Sequence, residues 1–177
     1  MNLRYVEINV DNLDLAVKIQ NEIFPLEDGR QNYIEGITKN PYRKEMINYI
    51  VYDGEMPIGV VGLYSYNEYP FDAWLSWFGV LEEYRKNGYG SKIFDFFVNL
   101  ALEKGYTSIR VYTDDEFDKA MTLYEKKGMI KEFYKNNNES EEINNSTIIY
   151  SKSLTKENTK KWNNKFLGLT AQSEKEK

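Results

Sequence analysis

Apolar and polar residues alternate through LRYVEINV (3–10), the two-residue period of a strand. Asp11 or Asn12 then stands where a helix would be capped, ahead of Leu13, Val17, Ile19 and Phe24. Phe24-Pro25 stops that helix, because proline disfavours helical geometry in the residue before it. A second short helix is predicted over 30–39, after Asp28-Gly29 and before Pro41. MINYIVYD (46–53) and PIGVVGLYSY (57–66) read as strands, with Asp53-Gly54 as the hairpin turn. AWLSWFGVL (73–81) is a third apolar run, too short to be a helix. The period then changes. Ile93, Phe96, Phe97, Leu100 and Ala101 recur at helical spacing, and Gly105 stops the run. TSIRVYT (107–113) predicts a strand, 116–127 a helix with Phe117, Ala120, Met121 and Tyr124 on one side, and 129–135 and 146–153 two last strands. The polar run NNNESEEINN between those strands predicts a mobile loop. The predicted order is βααβββαβαββ, a mixed α/β sheet in one domain over residues 1–154.

Residues 155–177 stand apart as a basic tail with six Lys and three Glu. Trp162, Phe166 and Leu169 are spaced as one stripe of a short helix that could dock on the body or on a second subunit, and the residues after Gln172 read as frayed. Dimerisation through the last strands or the tail is left open by the pattern. The net charge of −5 is therefore carried by a more acidic body. Such a body repels nucleic acid and would attract a cationic substrate, although solubility alone also explains it. No apolar run reaches the roughly 20 residues of a membrane span, and the N-terminus lacks the layout of a signal peptide, so cytoplasmic residence is the expectation. The chain has neither cysteine nor histidine, which removes disulfides, thiolate nucleophiles and the commonest general base and metal ligand. No metal site is expected.

Candidate chemistry concentrates in VLEEYRKNGYG (80–90), between a strand and a helix. Gly88 and Gly90 clear side chains from the turn into the helix, where free N–H groups and the positive end of the helix dipole favour an anion such as pyrophosphate. Arg85 could contact phosphate or hold the loop in shape. Two other phosphate-binding loops fail on residues: no G-x-x-x-x-G-K-[ST] string occurs, and Ile93 occupies the third glycine position of a dinucleotide fingerprint.

Arg85-Lys86-Asn87-Gly88-Tyr89-Gly90 resembles the acyl-CoA signature [QR]-x-x-G-x-[GA] of the GNAT acetyltransferases, and Ala120 to Met129 resembles the family's A-x-x-L-Y-x-x-x-G-[FM]. The likeness covers about residues 3–153. It implies a mostly antiparallel sheet of six or seven strands, about four flanking helices, and a splayed strand pair that admits acetyl-CoA as co-substrate. It also implies acetyl transfer to an amine, small or peptide-borne, by direct attack on the thioester. The backbone of Phe78, Gly79 and Val80 would pair with the pantetheine arm, and amides from Arg85 through Lys86, Asn87, Gly88, Tyr89, Gly90 and Ser91 would hold pyrophosphate. Tyr124 would donate a proton to the departing thiolate. Its phenol, with a reference pKa of about 10, stays protonated at neutral pH. Glu22, Glu27 and Asp28 resemble an acceptor-binding wall, and Asp72 is the one acid beside the fourth strand. The general base is unassigned. The chain departs from the family at Phe117, where many members carry Asn. Two other classes stay open: an acyl-CoA sensor without turnover, and an interaction protein that uses the tail.

Overall fold

The computed structural model describes residues 1–38, 40–114, 118–134, 147–163 and 165. Phe117, Phe166, Leu169, the run NNNESEEINN and the residues after Gln172 lie outside that set. The strands are β1 (Leu3–Glu7), β2 (Arg43–Asp53), β3 (Met56–Tyr66), β4 (Asp72–Val80), β5 (Ser108–Asp114), β6 (Ile130–Phe133) and β7 (Thr147–Ser153). The helices are α1 (Leu13–Ile23), α2 (Gly29–Ile37), α3 (Tyr89–Glu103) and α4 (Asp118–Lys126). The order is the one the pattern predicts. Seven strands make one sheet, β1-β2-β3-β4-β5-β7-β6, antiparallel throughout except between β4 and β5.

Alternation along the strands feeds two cores. Val51 and Val61 face α3 and α4, with Ile93, Phe94, Phe97, Ala101 and Tyr124. Their neighbours Ile50 and Val60 face α1 and α2, with Ala16, Ile19 and Tyr33. Phe94, which the α3 stripe omits, is among the fully buried side chains, whereas Phe96 and Leu100 are only partly buried. Helix ends follow local chemistry. Asp28 accepts the Gln31 N–H and caps α2, and α1 ends at Phe24 before Pro25. Asn12 precedes α1 but turns its side chain backward, accepting from Asn9 N–H and donating to the Glu7 carbonyl.

The tail segment departs from its pattern. Trp162 is not on a helix. Its backbone N–H and that of Asn163 are taken by the Glu132 carboxylate on β6, so they do not feed helical hydrogen bonds. The indole is fully buried in a third cluster with Tyr66, Trp74, Tyr134 and Ile149. Arg110 ties this segment down: its guanidinium donates to the Lys160 carbonyl at 3.0 Å and lies 5.1 Å from the Trp162 ring centroid.

Candidate active site

β4 and β5 pair only at Asp72↔Ser108, Ala73↔Ile109 and Trp74↔Arg110, whereas β4 stays paired with β3 as far as Val80. Beyond Trp74 the two strands part. The split is sharpened by a bulge, in which Trp77 and Phe78 of β4 stand opposite the single residue Val61 of β3. Backbone groups of the last β4 residues therefore face a gap in place of a neighbouring strand. Two chambers adjoin the gap, and Phe24, Phe78 and Ala120 line both.

One chamber, of about 870 Å³, is lined by Phe78, Gly79, Val80, Arg85, Lys86, Gly88, Tyr89, Gly90 and Ser91. Gly88 caps α3 at φ +80°, a left-handed conformation that costs a residue with a Cβ. No side chain caps the first turn of this 15-residue helix, so its N–H groups point outward unblocked. A Cβ added at Gly90 would come 3.9 Å from Leu123 and Phe78, which shows how near the floor lies. Arg85 holds the loop: its Nε donates to the Val80 carbonyl at 2.9 Å. Asn87 alone of the expected set does not line the chamber, and its amide reaches back toward the Tyr84 carbonyl. Lys119 and Lys126 of α4 line it and were not anticipated; among the described residues no acidic one does. The cradle is anchored behind by Asp53, whose carboxylate accepts the Tyr89 hydroxyl at 2.5 Å and the Asn2 N–H at 2.7 Å. The Tyr89 bond first, then the Asn2 bond, holds the Asp53 carboxyl below its usual range. This chamber suits a long polyanion with a slender, neutral arm, which is the form of coenzyme A.

The second chamber, of about 410 Å³, has Tyr124 in its wall with Ser76, Trp77 and Phe78. Tyr124 is 4% exposed, packed between Phe94 and Tyr150, and burial first, then Tyr150, pushes its phenol up. Ser76 is set by a buried bond to the Asn48 Oδ1 at 2.9 Å. Tyr64, Tyr66, Tyr112, Asn32 and Arg43 supply the rest of the polar lining, and Glu27, Glu35 and Asp114 its acids. None but Glu27 was anticipated. They come from β2, β3, β5, α2 and the loop before it, and meet only through tertiary packing that no local motif signals.

The other expected acids are elsewhere. Glu22 is exposed on α1 and lines neither chamber. Asp28 caps α2. Asp72 sits at the paired end of β4, away from the split, 3.4 Å from Arg110 Nε in an ion pair. It cannot serve the chamber as a base from there.

The family model for the acetyltransferase (GNAT) family matches residues 13–129, and the chain belongs to that family. It is an N-acetyltransferase whose acetyl donor is acetyl-coenzyme A. Solved structures agree in fold. The ribosomal-protein-S18-alanine N-acetyltransferase from Escherichia coli is 13% identical with a TM-score of 0.67, over 93% of this chain and 99% of that one. Naa50 from Arabidopsis thaliana, solved with a bisubstrate analogue, is 16% identical with a TM-score of 0.65, over 86% and 99%. A Bacillus subtilis acetyltransferase in complex with CoA is 18% identical with a TM-score of 0.62, over 87% and 99%. No curated protein matches the sequence. Among the described residues no helix is long and apolar enough to cross a membrane, and no cluster of three acidic residues could hold a metal ion.

Proposed function

We propose that the chain acetylates a small amine by direct transfer in the split between β4 and β5, with Tyr124 as the group that protonates the leaving thiolate. The observation that carries this reading is the shared wall of Phe24, Phe78 and Ala120, with Tyr124 beside it. It lets two ligands meet end to end. Bound acetyl-CoA supplies the thioester, at whose carbonyl carbon a C–N bond forms and a C–S bond breaks. The α3 N-terminus, with Lys86, Lys119 and Lys126, holds the phosphates. Phe78, Gly79 and Val80 offer unpaired backbone to the amide arm. The aromatic wall of Phe24, Trp77 and Phe78 keeps water from the reacting atoms. Tyr124 gives its proton to sulfur and recovers one from solvent, while the amine's surplus proton leaves through the open mouth of the chamber. Burial keeps that phenol protonated across the working range, so the donor is always charged with its hydrogen.

Glu27, Glu35 and Asp114 around the second chamber, on an acidic body, favour an acceptor that arrives as an ammonium ion. Tyr124→Phe tests the assignment. Thiol release should fall by roughly 10²–10⁴-fold while acetyl-CoA affinity is unchanged. An unaltered rate would remove Tyr124 from the mechanism.

A further inference from the structure

Among the described residues the second chamber holds one cation, Arg43, and three acids. Those acids do not neutralise it. Glu27 and Asp114 are exposed, and the Glu35 carboxylate accepts from Gln31 Nε2 at 3.4 Å, on the outer side of α2. Among the described residues no carboxylate comes within ion-pair distance of Arg43. Its Nη1 donates to the Glu35 backbone carbonyl at 3.2 Å, which fixes the plane of the guanidinium. The Nε–H, however, is buried and has no acceptor. Asn32 Nδ2, lining the same chamber, is also buried and without an acceptor. Buried donors are normally satisfied, and a cation left without a partner is costlier still. Both residues line the one chamber, and the acceptor that these two donors lack is one a bound ligand could supply.

A planar anion of single charge suits them best. The Nε edge of a guanidinium matches a carboxylate by two parallel hydrogen bonds. A phosphate dianion would meet Glu27, Glu35 and Asp114 at greater electrostatic cost. Tyr64 and Tyr66 stand beside Arg43, where burial pushes both phenols up and the cation opposes that rise, so they remain neutral hydroxyls. Arg43 pairs with Tyr66 near one end of β3, and Gly62, opposite Ser76, lies four residues along it. That is about 13 Å of strand. The chamber between them, of about 410 Å³, has room for one small molecule.

We infer that the acceptor is an amino acid: its carboxylate docks on Arg43 and Asn32, and its amine is presented at the wall shared with the coenzyme chamber. The inference rests on the acyl-transfer reading of this cleft and adds its specificity. Arg43 is a specificity-determining residue with no part in bond making, so its removal should raise KM and leave kcat nearly unchanged.

The test compares amino acids with their primary amides and their decarboxylated amines in a thiol-release assay, using wild type, Arg43→Gln and Arg43→Lys. Wild type should favour the acid by about ten- to a hundredfold in kcat/KM. Arg43→Gln should bring each matched pair to within about twofold, through KM, and Arg43→Lys should recover part of the preference. Equal turnover of acid and amide by wild type, a preference for phosphorylated amines, or equal losses on both members of a pair in Arg43→Gln would overturn carboxylate recognition and leave acetyl transfer standing. Calorimetry with N-acetyl amino acids separates the two readings if no amine is turned over. Binding that depends on Arg43 would uphold carboxylate recognition in this chamber while the transfer reading falls, and no binding would overturn both.

Discussion

Replacing Trp162 with alanine would empty a fully buried site that joins the tail to the sheet. The indole packs edge-on to Trp74 at 5.0 Å and to Tyr69 at 4.6 Å, and its Nε1 donates to the Lys165 carbonyl at 2.7 Å. Losing a buried tryptophan to alanine costs about 3–5 kcal/mol, and the Arg110 face contact adds up to about 2 kcal/mol where it is desolvated. Against this, the tail can detach locally, which caps the loss at its docking free energy. For a chain of this size each kcal/mol moves the midpoint by about 2–4 °C, so a fall of roughly 6–20 °C is expected in a circular-dichroism melt. Function should follow. Trp74, freed on one side, stacks against Tyr64 at 6.1 Å, and Tyr64 lines the acceptor chamber. Acceptor KM should rise while acetyl-CoA affinity holds. A melt shifted by less than 2 °C, with unaltered acceptor KM, would refute the reasoning and make the tail an independent appendage.

Three further outcomes are expected. Gly88→Ala forces a Cβ into φ +80° and should cost about 1–2 kcal/mol, read as a lower denaturation midpoint, together with weaker acetyl-CoA binding by calorimetry. Lys119→Gln with Lys126→Gln should weaken acetyl-CoA roughly two- to tenfold at low salt and less at high salt, with kcat at saturation unchanged. Asp53 has a depressed folded pKa, so its stabilising contribution is full above the unfolded value of 3.8 and is lost as pH falls through the folded one. The melting difference between wild type and Asp53→Asn should therefore be present at pH 6 and shrink below about pH 4; a constant difference would remove the Tyr89 bond as its cause.

The element order and the glycine turn into α3 were legible because they depend on local signals, whereas the split sheet was legible only through the family resemblance. Strand and helix periods, Asp53-Gly54, Phe24-Pro25 and the turn at Gly88 each act within a few residues. The acceptor chamber was not legible. Arg43, Asn32 and Tyr66 come from different elements, and only tertiary packing turns them toward one space. Asp72 lies at the paired end of β4, and its proximity to that strand in sequence does not say which end is paired. Trp162 was read as part of a helical stripe that could dock on the body or on a second subunit; its backbone N–H groups are instead captured by Glu132, a distant side chain.

Phe24, Phe78 and Ala120 belong to both chambers, so ligands in the two would touch across this wall. A ligand in one supplies surface to the other, and this makes occupancy of the two halves energetically coupled. Linkage requires the coupling to be mutual: the factor by which the donor tightens the acceptor is the factor by which the acceptor tightens the donor. The same geometry gives a single molecule that fills both halves an advantage beyond the sum of its parts, because its second half arrives at high effective concentration.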